Sequence, residues 1–96
     1  MRLRNVIHKG LRRFIEFDDH SRLPPASIEK LRNILSFLQD MRHIEELRGI
    51  ATWRAHQLTG DRKGTWSLSL TRNWRITFRV DVDEGEIVDV NLEDYH

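Results

Sequence analysis

At 96 residues the chain has room for one domain, 1–96, and one hydrophobic core, because so short a chain buries only roughly 60 to 65% of its extended surface. It has no cysteine, which excludes disulfides, thiolate metal sites and a cysteine nucleophile, and agrees with a reducing, cytoplasmic compartment. The net charge of +1 hides a segregation of sign: residues 1–15 carry Arg2, Arg4, Lys9, Arg12 and Arg13 with no acid, Arg54 to Arg79 carry six cations against Asp61 alone, and Asp81 to Asp94 carry seven acids with no Lys or Arg.

Met1 to Gly10 lacks the roughly 7- to 15-residue apolar run of a signal peptide, and no window approaches the ~20 apolar residues that cross a bilayer, so no membrane association is expected. Leu3 to Ile7 is compatible with a strand, and Leu11, Phe14 and Ile15 then recur at the spacing of a short helix. Pro24 and Pro25 end that helix, and Pro25 or Ala26 can begin a second, since proline suits a first helical turn. Ile28, Leu31, Leu35 and Leu38, widened by Ile34 and Met41, form an apolar stripe that predicts a helix covering a sheet.

Past Gly49 the pattern changes from helix to strand. Trp53 to Leu58 reads as a strand of poor alternation, followed by the turn Thr59 to Gly64. Trp66, Leu68 and Leu70 then alternate with Thr65, Ser67, Ser69 and Thr71. Arg72-Asn73 is expected to make a two-residue turn, since Asn tolerates positive φ. Trp74, Ile76, Phe78 and Val80 alternate with Arg75, Thr77 and Arg79, and a turn at Asp83-Glu84-Gly85 leads to a strand whose Val88, Val90 and Leu92 share a face. These strands predict an antiparallel meander with one apolar face under the helices. The other face, carrying Ser67, Ser69, Arg75, Thr77 and Arg79, is expected to be exposed. The fold class is α+β.

Clustered arginine favours a polyanion because its planar fork pairs bidentately with phosphate. The bland alternative is a solvated face neutralised by the neighbouring acidic strand. The five histidines have no metal-ligand spacing, and there is no phosphate loop, dinucleotide fingerprint or nucleophile elbow, so neither metal nor cofactor is expected. What remains is His56, Arg62 and Lys63 in the turn after it, Arg75, and the run Glu93-Asp94-Tyr95-His96. Cutting RNA without a metal needs the 2'-OH deprotonated, the phosphorane charge stabilised and the 5'-oxygen protonated. Imidazole, carboxylate, phenol and arginine together can do this.

The run His56 to Gly64, then Trp66-Ser67, Asn73-Trp74-Arg75-Ile76-Thr77-Phe78, and Glu93-Asp94-Tyr95-His96, with the opening Val6-Ile7-His8-Lys9-Gly10-Leu11, resembles the HigB branch of the RelE-like toxins over nearly the whole chain. That resemblance implies a RelE-like antiparallel sheet with two N-terminal helices packed on one face. It also implies a toxin that cuts mRNA in the ribosomal A site by 2'-OH attack. It assigns His56, Arg75, Asp94, Tyr95 and His96 to catalysis. Arg54, Arg62, Lys63 and Arg79 become RNA contacts, and Arg2, Arg4, Lys9, Arg12 and Arg13 a grip on ribosomal RNA. The implied partners are a HigA-like helix-turn-helix antitoxin, the 70S ribosome with mRNA, and operator DNA reached only through the antitoxin. Thr59 stands where such toxins usually carry a lysine, which leaves a non-catalytic RNA- or protein-binding module as the alternative; no recognition-helix signature supports a DNA-binding regulator.

Overall fold

In the computed structural model, which describes residues 1–94, the chain runs β1 (Arg2–Leu3), α1 (Lys9–Phe17), α2 (Ile28–Asp40), β2 (His56–Gln57), β3 (Trp66–Ser69), β4 (Trp74–Asp81) and β5 (Glu86–Asp94). Short 3-10 turns occupy Pro25–Ser27, Ile44–Gly49, Ala51–Trp53 and Gly60–Arg62. The sheet order is β1-β5-β4-β3-β2. The meander β3-β4-β5 is antiparallel, as the turns predict; β2 adds an antiparallel edge and β1 a parallel one. Leu68, Ile76, Phe78, Ile87 and Val90 are fully buried on one face. Leu11 and Phe14 of α1 and Leu31, Ile34, Leu35 and Leu38 of α2 share that core, so the predicted stripe does cover the sheet. Trp53 joins it edge-on to Phe37, with ring centroids 5.4 Å apart. The Met1 amino group donates to the carbonyls of Leu38, Gln39 and Met41, which α2 leaves without partners at its C-terminal end.

The structure departs from the predicted pattern at several places, each for a local reason. Leu3 to Ile7 forms only the end of β1 and an isolated bridge from Val6 to Val90. Trp53 to Leu58 is a strand only at His56–Gln57, because Trp53 closes a 3-10 turn instead. The β3–β4 connection is longer than two residues and needs no positive φ at Asn73: the Thr71 hydroxyl accepts the N–H groups of Asn73 and Trp74, and Leu70 and Thr71 both donate to the Trp74 carbonyl. In β5, Ile87 is buried with Val90 and Leu92 while Val88 is only half-buried. A bulge explains it. Asp89 takes a left-handed backbone (φ 56°), and the pairing with β4 shifts between Thr77 and Arg79, so the alternation changes phase. Asn5 secures the bulge with its amide, which donates to the Asp89 carboxylate at 2.9 Å and accepts the Asp89 N–H at 2.9 Å.

His8 caps α1, its Nδ1 accepting the Leu11 N–H at 3.0 Å. Gly10 packs so tightly here that a Cβ would stand 3.0 Å from the imidazole Cε1 and 2.9 Å from Arg22 Cβ. Burial holds the His8 ring below its ordinary pKa of 6.5, and protonation would destroy the cap acceptor. The folded chain therefore takes up this proton less readily than the unfolded chain. The stability contribution is complete above pH 6.5 and is lost as the pH falls from there through the lowered folded value. Urea midpoints are expected to drop on acidification from about pH 7 to about pH 5, and His8→Asn, which keeps an acceptor without a titrating ring, to flatten the drop. Equal slopes for the two proteins would count against this.

Candidate functional site

The face of the sheet away from the helices is built in rows by strand register. His56 stands opposite Ser67, Ser67 opposite Thr77, and Thr77 opposite Asn91; the next row is Ser69, Arg75 and Glu93. Directly paired residues share a face, so the pairing brings His56 and Arg75 to one side. They are two strands and one row apart, on the order of 12 Å between Cα atoms from strand spacing and rise.

This face is less open than the alternation implies. Ser67 and Thr77 are buried, Ser69 and Arg75 are half-buried, and Arg79 is exposed. The small hydroxyl residues form a floor between longer side chains, and Arg62 reaches from its 3-10 turn across to Glu93 with two hydrogen bonds, at 2.8 and 2.5 Å. Thr77 also donates to the Glu93 carboxylate, and Arg75 lies 3.9 Å from it. The hydrogen bonds from Arg62, then that from Thr77 and the positive charges of Arg62 and Arg75, hold the Glu93 carboxyl below its ordinary range against the opposing effect of burial. Glu93 in turn raises the Arg62 guanidinium. Glu93 thus anchors a charged row beside Arg75. The sequence singles out Glu93 only as a member of the run Glu93-Asp94-Tyr95-His96; its partners become visible once the register is set.

His56 is exposed at the end of this face, and its Nδ1 lies 2.8 Å from the Arg54 carbonyl. A carbonyl can only accept, so Nδ1 carries a proton, and Nε2 is the nitrogen left to serve as acceptor whenever the ring is neutral. Arg54 supplies that carbonyl from a left-handed backbone (φ 50°), a conformation uncommon for a residue with a side chain. Such strain persists where surrounding structure holds it, and here it sets the tautomer of His56.

The other predicted residues divide. Asp94 is paired with Trp74, one position beyond the Arg75–Glu93 pair, so alternation sends its side chain to the face opposite Arg75. Tyr95 and His96 lie outside the described residues. Lys63 and Arg54 are exposed beside the site. Arg79 borders a hollow of about 180 Å³ with Arg62, Thr77 and Glu93. Arg4 pairs with Asp81 and Glu86 at 2.5 and 2.8 Å, and Arg2 with Glu86 at 3.6 Å, so the acidic strand does neutralise these two cations. Arg13 pairs with Asp19 at 2.9 Å, while Lys9 and Arg12 are exposed with no carboxylate at salt-bridge distance among the described residues. A larger hollow of about 710 Å³ opens beside His56, lined by Lys30, Thr52, Arg54, Ser69, Leu70, Thr71 and Arg72. Lys30 and Arg72 have no distinguishing sequence signal, because they approach one another only through the fold. Among the described residues no helix is long and apolar enough to cross a membrane.

The sequence matches, over residues 4–96, the family described as RelE-like toxin of type II toxin-antitoxin system HigB. The Endoribonuclease HigB of Proteus vulgaris is 33% identical over 94 residues, covering 98% of this chain and 99% of that protein. Among solved structures, YafQ from E. coli strain BL21(DE3) superposes with a TM-score of 0.59 at 11% identity, covering 99% of this chain and 94% of its own. The YoeB/ParE toxin from Agrobacterium tumefaciens gives 0.55 at 18% identity, covering 100% and 99%. These two structures establish the shared α+β fold.

Proposed function

Because the chain belongs to the HigB-like family, the RelE-like toxins of type II toxin-antitoxin systems, we propose that it is an endoribonuclease that cuts mRNA in the ribosomal A site. The observation that carries the reading is the pairing, on one sheet face, of a histidine oriented through Nδ1 by a backbone carbonyl with an arginine set in a charged row. In the proposed reaction His56 takes the proton of the ribose 2'-OH through Nε2. The 2'-oxygen attacks the adjacent phosphorus, and the bond to the 5'-oxygen breaks to leave a 2',3'-cyclic phosphate. Arg75 carries the charge that develops on the phosphorane. The proton for the departing 5'-oxygen is assigned, on the family resemblance, to His96, with Tyr95 positioning base or ribose, while Asp94, which alternation sends to the other face, is left an orienting role. These steps use side chains alone, so cleavage is expected to survive chelation of divalent ions that ribosomes do not themselves need.

The partner of a toxin in such a system is an antitoxin. The finer reading is a HigA-like helix-turn-helix protein through which the pair reaches its operator DNA, and a cytoplasmic site of action on the 70S ribosome. The test is to induce the chain in bacteria and map message ends. New ends within codons of translated messages, lost in His56→Ala, are the expected result. Growth arrest without new ends would overturn the reading in favour of a non-catalytic binding module, which Thr59 in the turn after His56 favours.

A further inference from the structure

Lys30 from the first turns of α2, Arg54 from the approach to β2 and Arg72 from the β3–β4 connection converge on the hollow beside His56. None of the three has a carboxylate at salt-bridge distance among the described residues, whereas Arg2, Arg4, Arg13, Arg32, Arg62 and Arg75 each do. Among the described residues no Asp or Glu lines the hollow. In a chain with 15 acids, three cations left to face one another around a concavity are a local focus of positive potential, and that is the electrostatic signature of an anion site.

The rest of the lining narrows the anion. Thr71 uses its hydroxyl oxygen to accept the N–H groups of Asn73 and Trp74, which leaves its proton available to donate, and Thr52 offers a second hydroxyl. Donors and cations, with no Phe, Tyr or Trp in the lining among the described residues, suit phosphate oxygens and sugar better than a stacked base. The hollow is continuous with His56, so a strand whose scissile phosphate lies between His56 and Arg75 has its neighbouring backbone directed into it.

We propose that Lys30, Arg54 and Arg72 form a phosphate-binding cleft that holds the single-stranded RNA backbone flanking the cut. The inference deepens the endoribonuclease reading and rests on it for the identity of the strand. Because it grips backbone, the cleft contributes affinity and register without sequence preference.

The test uses the full chain and a short RNA oligonucleotide with 2'-O-methyl groups, which cannot be cut, followed by fluorescence anisotropy over a salt series. Lys30→Gln/Arg72→Gln removes two charges and leaves Arg54, whose carbonyl orients His56, in place. Binding is expected to weaken by about 10- to 100-fold at low salt, and the slope of log affinity against log salt to become shallower by about 1 to 1.5. Arg22→Gln/Arg42→Gln removes the same charge from exposed positions away from the hollow and is expected to stay within about twofold of the unmodified chain. Equal losses in the two pairs, or none in the first, overturn the cleft. Thermal midpoints of both variants establish that they are folded. Message mapping separates the two readings. Loss of oligonucleotide binding in the Lys30/Arg72 variant, with no cutting by the unmodified chain, keeps the cleft and removes the nuclease. Cutting by the unmodified chain with unaltered binding in the variant does the reverse.

Discussion

Arg75→Ala is expected to lower the rate of message cleavage on translating ribosomes by about 10²- to 10³-fold, the usual cost of removing one donor aimed at transition-state charge. The arginine sits in the middle of the sheet, opposite Ser69 on one side and Glu93 on the other, so its guanidinium is held by rigid strands rather than by a loop. Glu93 retains Arg62 and Thr77 as partners in the variant, so the charged row is depleted rather than dismantled. Far-ultraviolet circular dichroism is therefore expected to remain native while cleavage falls. Arg75→Lys, which keeps the charge but not the planar fork, should recover only part of the rate. An unaltered rate in Arg75→Ala would remove this residue from the reaction.

Phe78→Ala is expected to have the largest effect on folding. The ring is fully buried at the centre of β4 and faces the core that α1 and α2 cover. Truncating a buried phenylalanine costs about 3–5 kcal/mol, through lost transfer energy and the cavity left behind. A domain of this size has a total stability on the order of 5–15 kcal/mol, so the variant should be largely destabilised and its urea midpoint sharply lowered. Val82, 83% exposed in the β4–β5 turn, provides the contrast. Val82→Ala is expected to stay within about 0.5 kcal/mol. A Phe78→Ala cost of less than about 1 kcal/mol would mean that the sheet face is not the centre of the core.

Much of this arrangement is legible in the amino acids because its cause is local. A stripe such as Leu31, Ile34, Leu35 and Leu38 has one place to go in a small chain, and the alternation from Trp66 to Val80 orients a strand before any neighbour is known. His56 and Arg75 were readable as candidates from residue type and motif. Their common face follows from the alternation of each strand combined with the pairing between strands.

Other features had no local cause to read. Val88 looks equivalent to Val90 in the sequence, yet Asp89 in the left-handed region, tied to Asn5 across most of the chain, gives the inward position to Ile87 instead. Arg62 looks like a free phosphate contact in a basic turn until register carries Glu93 beneath it. Lys30 and Arg72 are ordinary surface cations until α2 and the β3–β4 connection close on the same hollow.

Residue pattern alone specifies which residues form the helices and the meander, which face of α2, β3 and β4 is apolar, and which side chains can carry charge or a proton. The phase of β5, the engagement of Arg62 with Glu93 and the gathering of Lys30, Arg54 and Arg72 arise only in the assembled fold. The reason is physical: periodicity acts over neighbouring residues, whereas register, ion pairing and electrostatic focusing depend on distances between segments far apart in the chain, which folding alone brings together.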